Sequence, residues 1–232
     1  MRNLLAGLFA ATLLFAAPVQ AGDQPVVVEL FTSQGCSSCP PADALLTEIA
    51  RRDNVIALAL HVDYWDYLGW PDTFASKEFT LRQRAYARAR HQRTIYTPQI
   101  IVQGTSSVIG HHRDDVDQMI QKHLDLPDAV DLRLARMGNS VEIRLHANGA
   151  VVGPSVVQVV RYLPKEVVTI RAGENAGNDF TYSNVVTSWT QVAQWNGRSD
   201  LVTSASAKGP EKLVVLVQAA GPGPIIAAEV LP

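Results

Sequence analysis

The spacing of apolar residues divides the chain into a first part with mixed periods and a second part with a period of two. Residues 26–31 and 55–62 are nearly unbroken apolar runs, which is typical of strands covered on both faces. Between them a helix is predicted to begin at Pro40-Pro41, because proline is tolerated in the first helical turn and apolar residues follow at helical spacing. The other elements predicted for this part are two helices and two short strands, at residues 81–89, 113–124, 100–102 and 107–109.

The helical period disappears after Leu126-Pro127-Asp128, which is typical of a domain boundary. Alternating apolar and polar residues follow and predict strands separated by segments rich in Gly and Asn, most clearly residues 173–178. The predicted strands lie at residues 130–134, 141–145, 156–163, 167–170, 213–217 and 225–230. We expect about seven or eight strands here, which suits a small β-sandwich over residues 127–232.

Residues 1–21 have the pattern of an export signal. Arg2 precedes an apolar stretch at residues 4–17, and Val19-Gln20-Ala21 is a small-residue cleavage signal. The stretch is too short to span a bilayer comfortably, and no later segment reaches the necessary length. We therefore expect a periplasmic or secreted protein with no membrane span after signal removal, in an oxidising compartment.

Candidate chemistry centres on the only two cysteines of the chain, Cys36 and Cys39. A predicted strand leads through Cys-x-x-Cys into a predicted helix, which is the sequence form of a thioredoxin-like redox site. Unpaired N–H groups and the positive dipole end at the helix start would favour a thiolate at Cys36. The element order and this motif predict a thioredoxin-like α/β domain over residues 22–126, followed by the all-β sandwich-like domain.

Longer segments around these residues resemble a known family. Residues 29–43 and 61–66 look like a bacterial secreted family catalogued as domain of unknown function 1223 and classed as thioredoxin-like, and residues 96–99 and 173–177 also fit its pattern. The resemblance implies a thioredoxin-like fold and no particular activity.

Roles for individual residues follow from the resemblance to thioredoxins. It implies that Cys36 is the attacking thiol and Cys39 the resolving one. Pro98 would form a cis peptide bond beside the disulfide, and Thr97 would touch the sulfurs, so that both bind the substrate.

Two further residues are candidates with two interpretations each. Glu29, inside the first apolar strand, either relays the proton of the resolving thiol or faces a polar pocket. His61, at the end of the second strand, either joins Cys36 and Cys39 as a third ligand for a soft metal such as Cu(I) or is an ordinary hydrogen-bonded histidine.

The aromatic residues that follow either line a groove for an extended partner or pack their loop onto the protein: Tyr64, Trp65, Tyr67 and Trp70.

The sequence thus predicts an exported thiol–disulfide oxidoreductase that acts by dithiol/disulfide exchange at Cys36 and Cys39. Its partners would be periplasmic thiol or disulfide proteins or small thiols, and no cofactor beyond the disulfide is needed. The alternatives are a Cu(I)-binding or metal-carrier protein and an interaction module with a structural disulfide. With 20 basic and 22 acidic side chains, the chain does not have the charge of a nucleic-acid binder.

Overall fold

The computed structural model describes residues 24–149 and 152–232, so the predicted export signal at residues 1–21 lies outside the described residues. Within these ranges the α-helices are α1 (Pro40–Ile49), α2 (Lys77–Ala89) and α3 (Arg113–Leu124), and a short 3-10 helix spans Asp66–Leu68. The strands are β1 (Val26–Thr32), β2 (Val55–His61), β3 (Gln99–Val102), β4 (Ser106–Ile109), β5 (Val130–Met137), β6 (Ser140–Ala147), β7 (Ser155–Thr169), β8 (Asp179–Trp195), β9 (Leu201–Ser206), β10 (Lys212–Ala219) and β11 (Ile225–Val230). No helix in the described part of the chain has the length and apolar character needed to cross a membrane.

The centre of the fold is the parallel pair β1 and β2. Every residue of both strands is buried, which explains their unbroken apolar sequences. Their register runs from Val26 opposite Val55 to Thr32 opposite His61. α1 and α3 cover one face of this pair with Leu45, Leu46 and Val116, among others, while α2 packs on the other face.

The strand β8 joins the two halves of the chain. It lies parallel to β2 at Ala59 and Val185 and pairs along its length with β7. The result is one eight-stranded mixed sheet in the order β11-β10-β7-β8-β2-β1-β3-β4, accompanied by a three-stranded sheet in the order β5-β6-β9. Asn184 strengthens the junction, because its side chain donates a hydrogen bond to the carbonyl oxygen of Ala57 at 2.8 Å.

The predicted fold class is therefore wrong. In place of a thioredoxin-like α/β domain followed by an all-β sandwich, the described chain is mostly β, with strands from both halves hydrogen-bonded into one mixed sheet. The helices and strands expected between residues 26 and 124 are present, but the apolar cluster under α2 also contains Val160, Val186 and Leu216 from the second half. Alternation along a strand predicts which face is buried and does not identify the partner strand, so the sequence pattern could not reveal this junction.

Candidate disulfide site

Cys36 and Cys39 form a disulfide between the end of β1 and the start of α1. The loop turns back after β1, since the N–H of Cys36 donates to the carbonyl oxygen of Ser33 at 3.1 Å. Cys39 is fully buried and Cys36 is 3% exposed, whereas the intervening Ser37 and Ser38 are exposed. Both cysteines are thus almost completely shielded from solvent.

Thr97 lies directly at the Cys36 sulfur. Its Oγ1 donates a hydrogen bond to Cys36 Sγ at 3.2 Å and accepts one from Trp65 Nε1 at 2.7 Å. The peptide bond between Thr97 and Pro98 is cis, as the resemblance implied. A hydroxyl that donates to sulfur favours the thiolate over the thiol when the disulfide opens.

The first turn of α1 offers Cys36 fewer free N–H donors than the sequence suggested. Pro40 and Pro41 have no N–H, and the N–H groups of Ala42 and Asp43 donate to the carbonyl oxygen of Cys39 at 2.8 and 3.1 Å. None of these four positions therefore offers a free N–H to Cys36. The side-chain donors at its sulfur are the hydroxyls of Thr97 and Ser38, the latter at 3.4 Å.

A loop from the second half of the chain covers the site. This loop, residues 170–178, connects β7 to β8, and Asn175 at its centre is buried. The side-chain amide of Asn175 donates to the carbonyl oxygens of Gln34 at 2.9 Å and of Cys36 at 3.0 Å. Asn175 is absent from the site residues predicted from sequence; the signals for it are the Gly- and Asn-rich segment and the fit of residues 173–177 to the family pattern.

The aromatic loop is fastened to the same place. Trp70 Nε1 donates to Gln34 Oε1 at 2.8 Å, and a Cβ placed on Gly173 would lie 3.2 Å from Trp70 Cβ. Tyr67, in contrast, is 77% exposed. The loop thus packs mainly onto the protein and leaves one tyrosine ring in solvent.

His61 is fully buried on the α1 side of the sheet. Its Nδ1 donates to Asp72 Oδ2 at 2.7 Å, and the same oxygen accepts the N–H of Gln34 at 2.8 Å. The second oxygen of Asp72 accepts the N–H of Phe74 at 2.8 Å. Asp72, which the sequence did not single out, therefore connects His61 to the disulfide loop.

Asp43 lies in the first turn of α1 and is also buried. Burial raises the pKa of its carboxyl to about 7 and the negative charge of Asp72 acts in the same direction, although His61 and the hydroxyl of Thr32 lower it. Asp43 Oδ1, His61 Nε2 and Thr32 Oγ1 have no hydrogen-bond partner of normal geometry among the described residues.

Glu29 faces away from this cluster, on the side of the sheet covered by α2. Arg82 donates to both of its carboxylate oxygens, at 2.6 and 3.0 Å, and the hydroxyl of Tyr86 donates to one of them at 2.6 Å. Gln218 completes the network with hydrogen bonds to Arg82 and Tyr86. These contacts favour a structural role for Glu29 and do not connect it to Cys39.

No group of three or more His, Cys, Asp and Glu side chains in residues 24–149 and 152–232 is arranged to hold a metal ion. A Cu(I) site at Cys36, Cys39 and His61 would require an open disulfide and a histidine ring already held by Asp72. Copper binding at these residues stays a prediction.

The fold is similar to two solved structures. Protein AGR_C_4864 from Agrobacterium tumefaciens superposes with a TM-score of 0.76 and 35% sequence identity, and the match covers 91% of this chain and 95% of that chain. HBP35 of Porphyromonas gingivalis gives a TM-score of 0.62 and 15% identity over 91% of this chain and 76% of that chain, a likeness that concerns the fold alone. None of the curated proteins matches the chain at a significant level. Residues 27–218 match the sequence model of the family described as "Protein of unknown function (DUF1223)", and the chain therefore belongs to this family.

Proposed function

We propose that the protein is an exported thiol–disulfide oxidoreductase that exchanges the Cys36–Cys39 disulfide with thiols of protein or small-molecule partners. The observation that carries the proposal is the hydrogen bond from Thr97 Oγ1 to Cys36 Sγ at 3.2 Å. Disulfide exchange alternates a sulfur between disulfide and thiolate, and a fixed hydroxyl donor stabilises the thiolate. The export signal predicted at residues 1–21 supports an oxidising location.

The exposed fractions support Cys36 as the cysteine that is attacked first. Cys36 retains slight exposure and Cys39 none, so a partner thiolate attacks Cys36 Sγ. The bond between Cys36 and Cys39 breaks, and Cys39 leaves with the electron pair. A second thiol of the partner then attacks the mixed disulfide, which transfers two electrons and two protons from the partner to the protein. The forward sequence therefore oxidises the partner, and the reverse sequence reduces a partner disulfide.

A purely structural disulfide is less well supported. A bridge that closes so short a loop stabilises a protein by roughly 2 kcal/mol. The loop is also held without it, because its backbone bonds to Asp72 through Gln34 and to Asn175 through Gln34 and Cys36. These contacts already stabilise the loop, so a disulfide at this place adds little further stability.

Trapping with oxidised glutathione tests the proposal on the reduced, full-length mature protein. We expect Cys39→Ser to accumulate a mixed disulfide with glutathione at Cys36, visible by mass spectrometry, because the resolving thiol is missing. Cys36→Ser should accumulate far less, because Cys39 is buried. The wild type should pass through the mixed disulfide and return to the internal one.

Equal modification of both variants, or a wild type that never regains its internal disulfide, would contradict the exchange hypothesis. Stoichiometric Cu(I) uptake by the reduced protein that is lost in His61→Ala would instead support the carrier.

Export is checked by cell fractionation and by sequencing the mature N-terminus, which should begin after Ala21.

A further inference from the structure

Beneath α1, three buried polar atoms of the described residues lie close together without a hydrogen bond of normal geometry: Thr32 Oγ1, Asp43 Oδ1 and His61 Nε2. Thr32 and His61 are opposite each other in β1 and β2, and both lie on the face that α1 covers. Asp43 belongs to the first turn of that helix. The Thr32 hydroxyl and the His61 ring both act on the Asp43 carboxyl group, so the three side chains form one buried polar cluster in a place where burial of polar groups is costly.

Asp72 fixes the orientation of this cluster. Its carboxylate accepts three hydrogen bonds, from the N–H groups of Gln34 and Phe74 and from His61 Nδ1, and these donors stabilise its negative charge. Since Nδ1–H donates to Asp72, the neutral ring has Nε2 available as a hydrogen-bond acceptor.

Asp43 is the second carboxyl group of the cluster. The titratable groups that act on it from the surrounding elements are His61 of β2, Asp72 of the following loop and Tyr182 of β8. Burial is the largest cause that raises the pKa of Asp43, which reaches about 7. The negative charge of Asp72 acts in the same direction, because two carboxylates in one buried place repel each other.

Asp43 lies beside Cys39, to whose carbonyl oxygen its N–H donates at 3.1 Å, and it also lines a surface groove. It follows Cys39 by four residues at the start of α1, and side chains with this spacing lie on the same helix face. The groove, of about 290 Å³, lies between α1 and β8, where Pro40 and Thr47 also line it. Asp43 is buried with 6% of its surface exposed, so the groove brings solvent beside the residue.

We propose that Asp43, oriented by His61 and Asp72, is the group that exchanges a proton with the Cys39 sulfur. The inference deepens the proposed function and rests on it. In the resolving step the Cys39 proton passes to Asp43, the Cys39 thiolate attacks Cys36 Sγ, and the partner sulfur leaves with the electron pair of the broken bond. When a partner opens the disulfide, Asp43 returns a proton to the departing Cys39 sulfur, and water in the groove replaces it.

Ellman's reagent tests this step in the reduced, full-length mature protein. Attack by Cys36 releases a first equivalent of thionitrobenzoate, and attack by Cys39 on the resulting mixed disulfide releases a second, so stopped-flow absorbance separates the two. We expect Asp43→Asn to slow the second release on the order of 100-fold near neutral pH and to leave the first nearly unchanged. The difference in the rate of the second release between the wild type and Asp43→Asn should shrink at alkaline pH, where the Cys39 thiol ionises unaided.

The controls separate proton transfer from a structural effect. Asp43→Glu keeps a carboxyl group and should recover part of the rate, whereas Asp114→Asn, an exposed change on α3, should have no effect. A variant that merely loosened the site would change the rate at all pH values and would not alter the shape of the pH profile. Asp43→Asn is isosteric, and its far-ultraviolet circular dichroism shows whether it is folded.

Each outcome decides between the proposals. A wild type that releases two equivalents, with an unchanged second release in Asp43→Asn, overturns the role of Asp43 and leaves the exchange function intact. A wild type that fails to release the second equivalent overturns the exchange function and this inference with it. An infrared difference spectrum between oxidised and reduced protein gives a second readout, because the carboxylic acid band that changes should vanish in Asp43→Asn.

Discussion

Thr97 connects the aromatic loop with the disulfide, because its hydroxyl accepts a hydrogen bond from Trp65 and donates one to Cys36. We expect Thr97→Val to lower the thiolate fraction of reduced Cys36 about tenfold, since a hydrogen bond to a charged group contributes about 1.5–3 kcal/mol. The rate of alkylation by iodoacetamide near neutral pH measures this in the Cys39→Ser background. Thr97→Ser keeps the hydroxyl and should retain most of the rate, and equal rates in both variants would exclude the hydroxyl as the cause.

Asp43 predicts a specific dependence of stability on pH. Burial raises the pKa of its carboxyl from 3.8 to about 7, so the folded state holds a proton that the unfolded state has lost between these values. The contribution to stability is complete below pH 3.8 and is lost as the pH rises to about 7. We therefore expect the free energy of unfolding of the wild type, relative to Asp43→Asn, to fall over this interval by a few times about 1.4 kcal/mol. Urea titrations across the interval measure the difference, and a constant difference would contradict the prediction.

The residues of the site differ in how far sequence predicts them. Cys36, Cys39 and the pair Thr97-Pro98 carry recognisable local signals. Glu29 is a buried acid near the motif, as predicted. Side chains alternate between the two faces along β1, and this alternation places Glu29 on the α2 face, where it forms an ion pair with Arg82. A single sequence identifies a buried acid more easily than it identifies the face of the sheet on which that acid lies.

At the scale of elements, the loop of residues 170–178 acts as a cover for the disulfide. We expect Asn175→Ala to destabilise the protein by about 1–3 kcal/mol, because the buried carbonyl oxygen of Gln34 loses the amide donor and that of Cys36 keeps only the N–H of Cys39. The same change should speed the reduction of the disulfide by dithiothreitol, because the cover no longer holds the Cys36 backbone.

Glu174→Ala is the matched control for that change, since Glu174 lies in the same loop with its side chain exposed. It should leave both the unfolding midpoint and the reduction rate near the wild-type values. An Asn175→Ala protein that is reduced no faster than Glu174→Ala would show that the loop does not restrict access.

The elements themselves were predictable where the apolar pattern was strong. α3 and β11 have the predicted bounds, and β1, β2 and α1 differ from them by a residue or so. β7 was predicted as two strands, and β8 and β9 were not predicted, because their sequences are rich in Thr, Ser and Gln and alternate only weakly. The missed strand β8 is the one that pairs with β2 and unites the sheet.

At the scale of the whole molecule, the continuous sheet predicts cooperative unfolding of both halves. Trp65 and Trp70 report on the first half, and Trp189 and Trp195 report on the second. In variants that keep one pair and replace the other with Phe, we expect the fluorescence transition in urea to coincide with that of far-ultraviolet circular dichroism. A separate transition for either pair would instead indicate two independently folding domains divided near residue 126.

Asn175 lies 139 residues after Cys36, whose backbone it holds. A chain that grows from its N-terminus therefore presents the Cys-x-x-Cys loop long before the residues that cover it have been made. During this interval the edge of β2 also lacks its neighbour β8. The order of synthesis thus leaves the Cys-x-x-Cys loop uncovered until the second half of the chain has been made and has folded onto it.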